Sequence, residues 1–82
     1  MLIDTRSAVT HGYRLTYRLI GIPCRRGISY SLSVKIESED GADEAAVHDI
    51  ARSRADADRL FHAVADGLVT PCTLADVLED LL

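Results

Sequence analysis

Residues 28–37 read Ile28-Ser29-Tyr30-Ser31-Leu32-Ser33-Val34-Lys35-Ile36-Glu37. Apolar and polar side chains alternate without a break. Successive side chains of a strand point to opposite faces, so this stretch predicts a β-strand with one buried and one wet face. On a helix the same apolar residues would be scattered around the axis. Something apolar must cover the face carrying Tyr30 and Leu32.

A second alternating run precedes it. Tyr13, Leu15, Tyr17 and Leu19 interleave with Arg14, Thr16, Arg18 and Ile20, and aromatic and β-branched residues favour the pleated state. Pro23-Cys24-Arg25-Arg26-Gly27 reads as a five-residue connection with Pro and Gly as turn formers. So short a link implies an antiparallel hairpin. Both tyrosine-bearing sets then share the buried face. Arg14, Thr16, Arg18, Ser29, Ser31, Ser33 and Lys35 are expected on the outer one.

The flanking segments carry weaker patterns. In residues 1–10 the set Ile3, Thr5, Ser7 and Val9 suits a short edge strand or extended arm, and His11-Gly12 breaks it. Ser38 to Asp43 is polar and contains the hairpin signal Asp40-Gly41. Residues 44–51, EAAVHDIA, are expected as a short further strand.

Two helices are expected after Ser53. Ala57, Leu60, Phe61, Val64 and Leu68 recur on one face at 3.6 residues per turn. Ser53 is a natural N-cap, with Asp56 well placed for the helix dipole. Gly67 is expected to supply the left-handed residue that ends the helix. Thr70-Pro71 opens the last helix, with Pro at its first position, and Leu74, Val77, Leu78 and Leu81 form its apolar stripe. The fold class is therefore α+β. An antiparallel meander of three or four strands over 1–51 is followed by a helical hairpin, 53–82, packed on one face.

Length and composition set the remaining bounds. Eighty-two residues allow one domain with a modest core. At 48% hydrophobic and 27% charged residues the chain reads as globular rather than disordered. No apolar run reaches the length of a membrane span. The early acid and the missing apolar core of MLIDTRSAV argue against a signal peptide, so a cytoplasmic location and no membrane partner are expected. Cys24 and Cys72 are expected as reduced thiols.

The net charge of −4 is unevenly spread. Residues 1–36 hold six basic side chains against Asp4, a net +5, and residues 37–82 hold three against twelve acids, a net −9. Either the two halves attract one another within a monomer or dimer, or the basic half meets an anionic partner.

The C-terminal half resembles a family of small bacterial proteins that carries no assigned activity. The likeness rests on His48-Asp49-Ile50, on the helix opened by Ser53, and on Thr70-Pro71-Cys72-Thr73-Leu74-Ala75-Asp76-Val77-Leu78-Glu79-Asp80. That last stretch matches a Ser/Thr-Pro-x-x-Leu-x-Asp-Val-x-Glu-Asp pattern. The resemblance implies a stand-alone domain of this size and transfers no functional residue.

His48 and Asp49 are adjacent, so in a strand they point apart and serve poorly as a base and its orienter. Cys72 near a helix start could be a reactive thiol if a histidine lay within reach. No Cys or His spacing matches a metal site, and no cofactor is expected. Asp76, Glu79 and Asp80 line one helical face, most simply a solvated one. Arg14, Arg18, Arg25, Arg26 and Lys35 form the candidate anion- or partner-binding set. Recognition of single-stranded bases would need aromatics on the same surface, and the tyrosines have the opposite parity. The expected function is a non-catalytic protein-interaction module, self-associating as a homodimer. The alternatives are a binder of nucleic acid or another anionic partner through the basic hairpin, and a small thiol enzyme using Cys72.

Overall fold

A computed structural model describes residues 1–82. Four strands, β1 (Leu2–Thr10), β2 (Tyr13–Cys24), β3 (Gly27–Ser38) and β4 (Gly41–Val47), form one antiparallel sheet in the order β1-β2-β3-β4. Helix α1 (Arg54–Asp66), a 3-10 turn (Pro71–Thr73) and helix α2 (Leu74–Leu81) follow and cover one face. The expected α+β architecture is the observed one.

The alternation dictates which face is covered. Leu15, Tyr17, Leu19, Leu32 and Val34 are at most 1% exposed. They face Ala57, Leu60, Phe61 and Val64 of α1 and Leu74 and Leu78 of α2 in one apolar cluster. In the register Leu19 pairs with Leu32 and Tyr17 with Val34, so the two strands put their apolar rows side by side. The Tyr17 hydroxyl donates to the Val69 carbonyl oxygen at 2.9 Å, satisfying its one polar atom inside the core.

Several local expectations are corrected. The β2–β3 connection is a two-residue turn, Arg25-Arg26, because Pro23, Cys24 and Gly27 stay in the ladder. Proline is tolerated there because β1 pairs only as far as Ile20, leaving β2 an edge beyond it. β1 is a full nine-residue edge strand, and a bulge between Leu2 and Asp4 shifts its register. Ile3 is thereby turned onto the core, while Thr5, Ser7 and Val9 stay on the outer side. Gly21 accommodates that packing: a Cβ there would lie 2.8 Å from Ile3 Cδ1. The β1–β2 turn is His11-Gly12, both with positive φ (43° and 85°), the type I′ geometry that matches strand twist. β4 spans Gly41–Val47 rather than 44–51, because Asp49 adopts φ 56° and turns the chain out of the sheet.

The Ser53 side chain caps α1 as expected, accepting from the Asp56 N–H at 3.2 Å. At the other end Gly67 is right-handed (φ −80°) and Leu68 takes the left-handed position, φ 52°. Val69 N–H donates to Val64 O and Leu68 N–H to Ala65 O, the paired bonds of a Schellman ending. A left-handed leucine carries a steric cost that glycine lacks. Leu68→Gly is expected to stabilise the fold by about 0.5–1 kcal/mol, read as a higher urea midpoint. An unchanged or lower midpoint would count against this ending.

The last helix opens differently from the expectation. Pro71 starts a 3-10 turn, and the Thr70 hydroxyl makes no backbone cap. It bonds the Thr73 hydroxyl at 3.0 Å and lies 3.4 Å from Cys72 Sγ.

Burial pushes the Tyr17 phenol above its usual pKa of 10, and the neighbouring Tyr13 pushes in the same direction. The sign follows from linkage. Folding holds the neutral phenol, so this contribution is complete below pH 10 and is lost as pH rises past that value. Tyr17→Phe should cost about 0.5–1.5 kcal/mol at neutral pH through the lost hydrogen bond. It should also flatten the loss of stability above pH 10, measured as urea midpoint against pH. Parallel curves for the two proteins would contradict this.

Candidate functional site

The face of the sheet opposite the helices is uncovered. Cross-strand rows read Val9–Arg14–Glu37–Ala42, Ser7–Thr16–Lys35–Glu44 and Thr5–Arg18–Ser33–Ala46. Arg14, Arg18 and Lys35 therefore share this face, as expected. Their arrangement is mixed rather than a basic stripe, because Glu37 lies opposite Arg14 and Glu44 opposite Lys35. Tyr13, Tyr17 and Tyr30 lie on the covered side, with Tyr17 and Tyr30 buried. The open face thus presents no tyrosine or phenylalanine ring for base stacking.

Ser31, expected to be wet, is 4% exposed. The His48 ring lies over it, with Nδ1 3.0 Å from Ser31 Oγ. The hydroxyl is sealed beneath the ring, and Asp49 makes no hydrogen bond to His48. The pair closes the sheet surface where β4 ends.

Arg25 and Arg26 form the tip of the β2–β3 hairpin, away from the Arg14/Arg18/Lys35 rows. They line a cleft of about 560 Å³ together with Arg52, Asp49, Cys24 and Ser29, over Ile28 and Ala51. The fold brings Arg52 there through two anchors. Ile50, 3% exposed, donates its N–H to Tyr30 O at 2.9 Å, and Ser53 is fixed as the cap of α1. Arg52 lies between them. Sequence reasoning missed Arg52 and Asp49 because their position depends on where the chain leaves β4.

The molecule holds three ion pairs: Arg6–Asp66, Arg54–Asp58 and Arg59–Asp56. Only the first joins sheet to helices. Arg6 there offsets an acid in the last turn of α1, where a negative charge opposes the helix dipole. Both side chains are largely exposed, so the pair adds little stability. Between the basic and acidic halves, Arg6–Asp66 is thus the one close ion pair, beside the cross-strand neighbours Arg14/Glu37 and Lys35/Glu44. Arg25, Arg26 and Arg52 are exposed and have no carboxylate within ion-pair range. Three guanidiniums around one concavity suit carboxylate or phosphate oxygens, which they can grip in bidentate fashion.

The other candidates remain apart. Cys24 and Cys72 are both exposed free thiols. Cys72 has the Thr70 hydroxyl as its hydrogen-bond neighbour and no histidine bonded to it. No three of the His, Cys, Asp and Glu side chains converge to hold a metal ion. No helix is long and apolar enough to cross a membrane. No curated protein and no solved structure matches the chain. A family model does match, over residues 2–82: this chain belongs to the family of unknown function DUF6514.

Proposed function

We propose that the protein is a non-catalytic interaction module that docks an acidic protein segment in the cleft formed by Arg25, Arg26 and Arg52. The observation that supports this is that Arg25, Arg26 and Arg52 line one 560 Å³ cleft, outnumber its one carboxylate, Asp49, and form no ion pair. Unpaired surface cations are ordinary singly, but three around one concavity together offer an anion several charge-assisted hydrogen bonds. An acidic protein segment is favoured over nucleic acid because the open sheet lacks tyrosine and phenylalanine rings for stacking and its basic rows are interrupted by Glu37 and Glu44.

The test is titration with a labelled oligo-glutamate peptide. Arg25→Gln/Arg26→Gln/Arg52→Gln should weaken binding at least about tenfold. Arg14→Gln/Arg18→Gln/Lys35→Gln should change it less than about threefold, because those side chains lie on other rows. Equal losses in both triple variants, or tighter binding of a labelled single-stranded oligonucleotide than of the peptide, would overturn the proposal.

A further inference from the structure

The two ends of the sheet carry opposite charge. Arg25, Arg26 and Arg52 lie at the β2–β3 end. At the other end the β3–β4 turn, Glu39-Asp40, projects between Glu37 and Glu44, and all four acids are exposed. The molecule is 42 Å long. Thirteen residues of extended chain separate Arg26 from Glu39, about 40 Å at the rise of a strand. The acidic turn of one molecule therefore cannot reach its own cleft.

We infer that the acidic segment taken by the cleft is the β3–β4 turn of a second copy, in an antiparallel pair that stacks the two open sheet faces. The inference rests on the acidic-segment reading above and names its partner. Three features of the register support it. A two-fold axis across the strands lays β1 over the partner's β1 in reverse, so the column of β3 and β4 also meets itself reversed. The cleft lies in that column, beside β3 where β4 has ended, and the turn lies in the same column at the opposite end. Cys24 and Ser29 in the cleft lining share the parity of the open face with Ile22, while Ile28 and Ala51 belong to the covered side, so the cleft spans the end of the sheet and borders the face where the partner would lie.

Apolar matching points the same way. Val9 is 72% exposed near the acidic end of β1, and Leu2 is 55% exposed at its other end. Both project on the open face, and the antiparallel stack brings each over the other's counterpart. Strands of nine, twelve, twelve and seven residues, rising about 3.3 Å per residue and about 4.8 Å apart, offer roughly 630 Å² per molecule, the lower end of a standard interface. The pair makes its charged contact twice and closes, as two-fold assemblies do.

The experiment is solution mass by light scattering across concentration, at low and high salt, on the full chain. The wild type is expected at twice its 9.0 kDa chain mass in low salt, with dissociation promoted by salt as the exposed charges are screened. The Arg25→Gln/Arg26→Gln/Arg52→Gln variant loses the cleft, and Glu39→Gln/Asp40→Asn loses the turn. Each alone should raise the dissociation constant at least about tenfold. Their equimolar mixture should pair better than either, because one of the two contacts is then intact. Circular dichroism checks that both variants fold. A wild type that stays monomeric in low salt, growth beyond two copies, or either variant pairing like the wild type overturns the inference. Oligo-glutamate binding by a wild type that does not pair would sink the inference alone, whereas absent peptide binding by the Glu39→Gln/Asp40→Asn variant, whose cleft is intact and has no competing turn, sinks the acidic-segment reading.

Discussion

Leu32→Asp is expected to leave no folded population at room temperature, whereas Ser33→Asp, one residue along the same strand, is expected to match the wild type to within about 0.5 kcal/mol. Leu32 is fully buried between Leu19 and Val47 in the sheet, beneath the helices. A carboxylate there would lose its hydration and gain no partner, a cost of several kcal/mol. A domain of this length is stable by only roughly 4–12 kcal/mol in total, and the substitution also removes a core side chain. Ser33 projects from the open face directly opposite Arg18. An aspartate at that position gains a cross-strand partner of opposite charge, worth about 0.2–1 kcal/mol. Far-UV circular dichroism and urea denaturation of both variants decide the matter. Similar behaviour of the two would refute the assignment of faces.

The second large effect is at α1. Phe61→Ala should destabilise the fold by about 3–5 kcal/mol, seen as a lower urea midpoint with an unchanged slope. Phe61 is the chain's one phenylalanine and is fully buried between the sheet and the second helix. Removing its ring leaves a cavity that the close-packed leucines around it cannot refill without leaving their rotamers. His62→Ala, next along the helix and exposed, should change stability by no more than about 0.5 kcal/mol. A loss below about 1 kcal/mol at Phe61 would mean that α1 does not carry the core.

The hairpin β2–β3, the helix α1 and its Ser53 cap were legible from spacing alone, since each rests on periodicity or on contacts between near neighbours. Errors fell where two elements had to agree. Ser31 has the parity of a wet residue, yet His48, seventeen positions on, covers it. Gly67 has the local preference for a left-handed ending, but Leu68 takes it because that geometry lets Val69 N–H reach Val64 O and leaves the Val69 carbonyl to accept from Tyr17. The bulge that turns Ile3 onto the core leaves no sign in the β1 residues, because it is set by pairing with β2.

The same division separates the candidate site into two parts. Arg14, Arg18 and Lys35 could be put on one face because side-chain direction in a strand has period two, and Arg25 and Arg26 could be put in a turn because proline and glycine flank them. That Arg25 and Arg26 lie apart from the other three, and that Arg52 and Asp49 join them, depended on the path of residues 48–53. That path is held by the buried Ile50 and its bond to Tyr30. Alternation and helical period are written along the chain, so the sequence by itself determined the strands, the helices and the covered face. Which charges meet is a matter of distance across the chain, and only tertiary packing brought Arg25, Arg26 and Arg52 to one cleft and left the acidic turn at the far end of the sheet.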